Sequence, residues 1–273
     1  MANYVYLILE ENKMSARDLI TETLVLPSAA TRLYGENFDG QLTLRAMTTM
    51  EERMRLSGQS FYKIMSKIIN ECIVDNKNSD GTYKIDSASF TDFDFFATCV
   101  KLRMISYGVK YKTIAICPTC GHKFEYVADL SKLAYNLVPE DFHEPYDVGP
   151  LPSSGDTLGC RFLRAKDHID IEKTVEYIKS KYPDYIGDPA YELEMQKRIV
   201  TVNGTEIDYI NVEDYVRNMI SMDTVVYHDK IDKEVYGVVR LNVCDCENPQ
   251  GCGGHAVWIL KADREFFRPC LDN

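Results

Sequence analysis

The stretch KYKTIAICPTCGHKFEYV, residues 110–127, contains the pattern that decides the fold. Cys117 and Cys120 are separated by two residues, a spacing at which two thiolates can bind one zinc ion. Gly121 follows and allows the tight turn in which backbone amides face the sulfur atoms. Residues of high β propensity lie on both sides, so a strand is predicted before the turn and another after it. The stretch therefore predicts a β-hairpin with a zinc-binding knuckle at its tip, which is half of a zinc ribbon.

A redox-active cysteine pair has the same spacing and is the competing interpretation. A thioredoxin-like pair lies between a strand and a helix, whereas a strand is predicted on each side here, so zinc is favoured. A structural zinc ion needs four ligands, so two more cysteines are required. Cys252 is one of them, because Cys-Gly-Gly-His at 252–255 resembles Cys-Gly-His at 120–122.

The fourth ligand is ambiguous between two cysteines. The alternation of apolar residues in the preceding strand favours Cys244. The length of the turn favours Cys246, which leaves five residues before Cys252 rather than seven. His122 and His255 are interpreted as polar residues that begin strands. The predicted ligands of a structural zinc ion are therefore Cys117, Cys120, Cys252 and either Cys244 or Cys246. The cysteines that we interpret as core or chance thiols are Cys72, Cys99, Cys160 and Cys270.

The composition is that of a folded, acidic protein. The chain has 273 residues, of which 45% are hydrophobic and 27% charged, and its formal net charge is -11. This apolar fraction argues against a disordered chain. The excess of acid argues against a general nucleic-acid-binding protein, because phosphate contacts need clustered Lys and Arg. No secretory signal and no apolar run long enough to span a membrane is visible, so we expect a soluble protein from a reducing compartment.

Short sequence strings recur in the same order in the two halves of the chain. They are Leu26-Pro27-Ser28 and Leu151-Pro152-Ser153, Leu44-Arg45-Ala46 and Leu163-Arg164-Ala165, Met104-Ile105-Ser106 and Met219-Ile220-Ser221, and the cysteine strings at 120–122 and 252–255. The spacing is too long for a solenoid repeat. The shared order indicates two related half-domains, and coincidence among such short strings is the alternative.

The predicted fold is α+β, with two related half-domains of helices with short strands, joined by a shared zinc-ribbon-like β element. An N-terminal arm is expected over 1–20, followed by a first half with the first knuckle at 21–136. A linker with several Pro and Gly residues is expected over 137–150, and a second half with the second knuckle at 151–273. A metal shared by the two knuckles would close a long loop and stabilise both halves, since its site exists only in the folded chain.

Individual elements follow from hydrophobic periodicity and capping signals. Apolar residues at a 3.6-residue period predict a helix over 61–73, and a second helix is predicted over 91–107. Thr49 and Glu52 have the spacing of a capping box, in which each side chain satisfies a backbone N–H of the other residue. In the second half, a further helix is predicted over 211–222.

No pattern in the sequence predicts catalysis. A Gly-rich phosphate loop, a His-Glu-x-x-His helix and a Gly-x-Ser-x-Gly elbow are all absent from it. Acidic residues are plentiful, but no argument selects two of them as a catalytic pair. Four thiolates around zinc leave no open coordination position for water. We therefore assign no catalytic residues and expect that the protein is not an enzyme.

These landmarks together resemble a known family. A Leu-Pro-Ser segment, a Leu-Arg-Ala strand, a helix, and a Cys-Pro-x-Cys-Gly-His knuckle near Tyr107-Gly108 are similar to those of baseplate hub proteins of T-even-like contractile-tailed bacteriophages. The resemblance extends over most of the chain, and the irregular second knuckle departs from it. It implies a structural or assembly component of the tail baseplate, located in the virion after assembly in the host cytoplasm. It also implies partners among other tail and baseplate proteins in a hetero-oligomeric assembly, and no catalytic residues.

Two functions from different classes remain. The first is a structural or assembly protein of a phage tail, held in shape by zinc and acting through protein contacts, for which its 18 tyrosines are suitable interface residues. An apolar run at 4–9 fits this function, since such a run can add a strand to a neighbour's sheet. The alternative is a zinc-ribbon nucleic-acid-binding adaptor, for which the locally basic stretch 101–112 is the supporting feature. The acidic net charge favours the first, so neither nucleic acid nor a membrane is expected as a partner.

Overall fold

The computed structural model describes residues 20–31, 33–35, 38–58, 60–261 and 265–270. The predicted N-terminal arm and its apolar run lie outside these ranges, except for Ile20. Helices and antiparallel sheets occur together, so the predicted α+β class is confirmed. Within these ranges, no helix combines the length and the apolar character needed to cross a membrane.

The described ranges contain seven α-helices and twelve strands. The helices are α1 (Thr49–Arg55), α2 (Phe61–Cys72), α3 (Asp92–Tyr107), α4 (Ala165–Lys181), α5 (Pro189–Arg198), α6 (Tyr209–Asn218) and α7 (Ser221–Ile231). The strands are β1 (Thr21–Val25), β2 (Gln41–Arg45), β3 (Lys110–Ile116), β4 (Lys123–Asp129), β5 (Tyr135–Asn136), β6 (Tyr146–Val148), β7 (Leu158–Cys160), β8 (Ile199–Val202), β9 (Thr205–Glu206), β10 (Gly237–Val238), β11 (Leu241–Asp245) and β12 (His255–Ile259). Two sheets have four strands, in the orders β11-β12-β3-β4 and β6-β7-β8-β9, and two sheets have two, β1-β2 and β10-β5.

The first hydrophobic core surrounds α3. Buried residues of α2, of the β1-β2 sheet and of the sheet β11-β12-β3-β4 belong to it. Its C-terminal members are Trp258, Leu260, Phe266 and Phe267, which belong to the end of the second half and nevertheless pack here. The first core is therefore built from both ends of the described chain.

The second hydrophobic core lies among β6, β7, β8 and the helices α5 to α7. Val148, Leu158 and Tyr227 are among its fully buried members. Strand β6 falls within the predicted linker, 137–150, and pairs with β7. This part of the linker is therefore an element of the second core rather than a simple connection.

The same arginine–carboxylate arrangement occurs once in each half. Arg45 donates from Nη2 to Glu51 at 2.7 Å, and Arg161 donates to both carboxylate oxygens of Asp167 at 2.7 and 2.9 Å. Each carboxylate also accepts the backbone N–H three residues before it, at 2.7 Å, where a helix begins. The contacts make Arg161 the counterpart of Arg45, whereas the recurring Leu-Arg-Ala strings had aligned Arg45 with Arg164.

A second arrangement also occurs twice. The backbone N–H of Ser28 donates to Asp94 at 3.2 Å, and that of Ser153 donates to Asp223 at 2.7 Å. Each serine ends a Leu-Pro-Ser string, and each aspartate is the third residue of its helix, α3 or α7. Both aspartates are buried. Each buried carboxylate therefore fixes a helix start to the turn that precedes it.

Two of the predicted helices are confirmed and a third is wrong in its continuity. The helices predicted over 61–73 and 91–107 are α2 and α3. The predicted helix over 211–222 is interrupted, because the backbone is extended at Met219 and Ile220, where α6 ends and α7 begins. The sequence pattern is apolar through this junction and does not reveal the break.

The capping box at α1 lies one residue earlier than predicted. Thr48 and Glu51 form it, rather than Thr49 and Glu52. Arg45 decides the position, because it binds the carboxylate of Glu51 at the end of β2. Burial raises the pKa of Glu51, but the hydrogen bonds from Arg45 and Thr48 outweigh it and lower the pKa to about 2.

Replacing Glu51 by glutamine is expected to lower the free energy of unfolding by about 2 kcal/mol near neutral pH. The folded-state pKa lies below that of the unfolded chain, so the carboxylate stabilises the fold at neutral pH and this contribution disappears as the pH falls toward 2. Urea unfolding of the wild type and of Glu51→Gln, at neutral pH and near pH 3, measures the gap. The gap should shrink in acid, and the exposed control Glu140→Gln should show almost none. An equal gap at both pH values would contradict the assignment.

Candidate metal centre

The first hairpin places two cysteines in its turn. Strands β3 and β4 pair up to Ile116 and Lys123, and the connecting turn contains Cys117 and Cys120. The backbone N–H of Cys117 donates to the carbonyl of His122 at 2.9 Å, which closes the turn. The predicted hairpin, with strands on both sides of the cysteine pair, is therefore confirmed.

The second hairpin repeats this closure with a longer turn. Strands β11 and β12 pair up to Asp245 and His255, and the backbone N–H of Cys246 donates to the carbonyl of Gly254 at 3.0 Å. Strand β12 lies beside β3 in the same sheet. Because the two hairpins are neighbours in one sheet and point the same way, their turns lie together.

Four sulfur atoms meet where the two turns lie together. The Sγ atoms of Cys117, Cys120, Cys246 and Cys252 all lie within 4.8 Å of one another. The Sγ atoms of Cys117 and Cys252 are 3.7 Å apart, and so are those of Cys120 and Cys246. A tetrahedron of sulfur atoms about 2.3 Å from a metal ion has edges of about 3.8 Å. A disulfide would require about 2.0 Å, so the spacing fits a shared metal ion and not a bond between sulfurs.

The structure brings Cys246 to the cluster and leaves Cys244 outside it. Cys244 lies within β11 opposite Ala256, and it packs against the first core. A sequence signal for Cys246 does exist: Tyr-Gly-Val occurs at 107–109 and at 236–238, and a cysteine follows each glycine by nine residues. Strand alternation alone does not reveal this ligand, because it does not show that β11 extends beyond Cys244 to Asp245.

Hydrogen bonds from the protein reach several of the sulfur atoms. The backbone N–H of Gly254 donates to Cys252 Sγ at 3.3 Å, and Asn248 Nδ2 donates to Cys120 Sγ at 3.5 Å. The bond from Asn248, with a second from the backbone N–H of His122, lowers the pKa of Cys120 to about 6. Such donors stabilise thiolates, which are the form that binds metal ions.

The thiol of Cys246 shows the electrostatic cost of placing four sulfur atoms close together. Burial raises the pKa of Cys246 to about 12, and hydrogen bonds to the neighbouring cysteines act in the same direction. Four thiolates at these distances repel one another unless a cation lies between them. A bound divalent cation would remove this cost, because it favours deprotonation of every ligand thiol.

The other predicted cysteine and histidine roles can be located in the structure. Cys72, Cys99 and Cys160 are buried, and Cys270 is partly buried; all four lie outside the cluster. The His122 ring stacks on Phe124, with ring centroids 5.7 Å apart. His255 Nδ1 lies 3.3 Å from a carboxylate oxygen of Asp245. The described residues thus place four sulfurs, and neither histidine, in the group that could hold a metal ion.

Comparison with known protein families gives a match for more than half of the chain. The family described as "T4 bacteriophage base plate protein" matches residues 27–180 of the 273. The matched segment includes the first hairpin, with Cys117 and Cys120, and ends before α5. No curated protein and no solved structure matches the chain.

Proposed function

Because the chain belongs to the family of T4 bacteriophage base plate proteins, we propose that it is a structural subunit in the hub region of a phage tail base plate. The family match over 27–180 is the observation that carries the base plate assignment, and the resemblance of the sequence landmarks to hub proteins supports the hub position. The subunit acts by contacts with other tail proteins in a hetero-oligomeric assembly. The proposal includes no catalytic step and assigns no catalytic residue.

Zinc is the metal that we assign to the four-cysteine cluster. Four thiolates in a tetrahedron are the ligand set of structural zinc sites, and they leave no position for a substrate or water. The sulfur spacing of 3.7 Å and the N–H groups that face Cys252 and Cys120 support this assignment. Zinc holds the turns of the two hairpins together and has a structural role.

The zinc ion joins two distant parts of the chain. Cys117 and Cys252 are 135 positions apart, and Cys120 and Cys246 are 126 apart. Cross-linking such long loops removes conformational freedom mainly from the unfolded chain. For a virion subunit, which must keep its shape without turnover, this stabilisation is the benefit of the site.

The two halves of the chain derive from one duplicated unit in this proposal. The paired contacts Arg45–Glu51 and Arg161–Asp167 support it, as do the paired contacts of the Leu-Pro-Ser segments with buried aspartates. Coincidence explains short strings, but it does not explain why the same atoms bond at the same helix positions. Each pair has one contact within 21–136 and one within 151–273, the two proposed halves.

Mass spectrometry of purified virions tests the proposed function. Peptides of this chain are expected in intact virions and in isolated base plates, in a fixed ratio to other base plate proteins. Gold-labelled antibodies against the chain should label negatively stained tails on the tail axis. Peptides found in infected cells but not in virions would contradict a structural subunit, and label at the base plate periphery would contradict the hub position.

A further inference from the structure

The outer face of the sheet β11-β12-β3-β4 is apolar where a solvated sheet face is usually polar. Inward residues such as Ala115 and Trp258 pack on the first core, so the alternate residues point away from it. Six large apolar side chains on this outer face are between 40% and 62% exposed. They are Ile114, Ile116, Val127, Leu241, Val243 and Ile259.

The strand register makes five of these residues one continuous patch, whereas Val127 lies beside Lys112 in the next row. Val243, Val257 and Ile116 lie side by side across three strands, and Lys123 of β4 continues this row. The neighbouring row contains Leu241 and Ile259 of one hairpin, and Ile114 and Glu125 of the other. Each row thus has apolar residues on β11, β12 and β3 and a charged residue on β4.

The size of the patch matches a self-association interface. The five side chains of this patch expose on the order of 500 Å² of apolar surface, which is near the upper limit for a monomeric protein. Two copies packed through this face would bury about 1,000 Å² of apolar surface together, and the charged rim adds to it. This total reaches the lower range of specific protein interfaces.

We propose that this face binds a second copy of the chain, sheet against sheet, around a two-fold axis that runs across the strands. This partner goes beyond the proposed function, which names only other tail proteins. The axis brings each row onto the neighbouring row of the other copy, so Val243 meets Leu241 and Ile116 meets Ile114. Sheets packed in this way lie about 10 Å apart, with their side chains interdigitated.

The charges select this arrangement over its alternative. With the axis across the strands, Lys123 of each copy lies opposite Glu125 of the other, and the opposite charges attract. Glu125 already forms an ion pair with Lys112 at 2.8 Å on the same face, so it would lie between two lysines. With an axis along the strands, the charged strand β4 would instead cover the apolar strand β11, which desolvates charges without a partner.

Sedimentation velocity of the purified, metal-containing protein tests the proposal. A species of twice the 31.3 kDa chain mass is expected, with a dissociation constant on the order of 10 µM. Val243→Glu should weaken the dimer at least about a hundredfold, because it buries a carboxylate against the apolar side chain of Leu241 of the other copy. Val225→Glu is the matched control: Val225 is 63% exposed and Val243 is 62% exposed, but Val225 lies on α7. The control should dimerise like the wild type.

A charge reversal tests the direction of the axis. Lys123→Glu should weaken the dimer about tenfold, because it places two glutamates opposite each other. The double variant Lys123→Glu with Glu125→Lys restores opposite charges and should return the dissociation constant to within about threefold of the wild type. A wild type that stays monomeric up to ~1 mM overturns the proposal. So does a Val243→Glu variant that dimerises normally, or a double variant weaker than the single one. These outcomes leave the test of the base plate location unaffected.

Discussion

Serine at position 120 is expected to release the metal ion and to separate the two hairpins. Cys120 is exposed, so the substitution removes no core packing and its effect reports on metal binding alone. Zinc contributes on the order of 10 kcal/mol to the folding of small zinc domains, so losing one of four thiolates should cost several kcal/mol here. Metal analysis should give about one zinc per chain in the wild type and close to none in Cys120→Ser.

Cys244→Ser is the matched control for this experiment. Cys244 lies in β11, two residues before Cys246, but it is outside the sulfur cluster. The variant should therefore retain the metal, whereas Cys246→Ser should lose it as Cys120→Ser does. Zinc loss in Cys244→Ser together with zinc retention in Cys246→Ser would contradict the ligand set.

Proteolysis distinguishes a shared metal site from a local one. If zinc joins the two hairpins, Cys120→Ser should expose both of them to protease, in the segments 110–129 and 241–259. Cleavage confined to the first segment would show that the metal does not hold the second.

Methionine in place of Arg103 is expected to destabilise the protein by about 3–5 kcal/mol. Arg103 is fully buried, and among the described residues its guanidinium donates to backbone carbonyls. Nε donates to Phe266 at 3.2 Å and Nη2 to Lys110 at 2.5 Å, and further bonds reach Gly108 and Arg268. Methionine keeps the length of the apolar stem but donates no hydrogen bond to these carbonyls.

Urea unfolding and amide hydrogen exchange measure the effect of Arg103→Met. The C-terminal segment 265–268 should lose its exchange protection together with the start of β3, because Arg103 joins both to α3. Arg53→Met is a suitable control, since Arg53 is exposed on α1 and its loss should change the unfolding free energy by no more than ~0.5 kcal/mol. An unfolding free energy of Arg103→Met within that margin would contradict the role of the buried arginine.

Local features of the fold could be predicted from the sequence. The hairpin around Cys117 and Cys120 followed from cysteine spacing and strand propensity, and the helix over 61–73 followed from its apolar period. Both signals come from residues within one element, so they do not depend on what packs around that element. The first cysteine pair of the cluster could be predicted for the same reason.

Long-range features could not be predicted in this way. The burial of Arg103 could not be predicted, because its carbonyl partners come from segments up to 165 positions away and no local pattern marks them. The sequence does not decide between Cys244 and Cys246, because strand alternation does not locate the end of β11. The recurring Leu-Arg-Ala strings align Arg45 with Arg164, whereas the contacts with Asp167 make Arg161 the counterpart of Arg45. Sequence identity alone does not show which arginine binds the carboxylate.

The packing of the C-terminal residues on the first core determines the order in which parts of the chain can complete folding in the cell. Trp258 and Phe266 are synthesised roughly 150 residues after α3, which is about ten seconds or more at usual ribosomal rates. During this interval α3 and its neighbours have no Trp258, Phe266 or Phe267 to cover them. Folding of the first half can therefore begin before folding of the second half, but it is completed last. A chain that ends prematurely near residue 180 would expose an incomplete apolar core to chaperones and proteases.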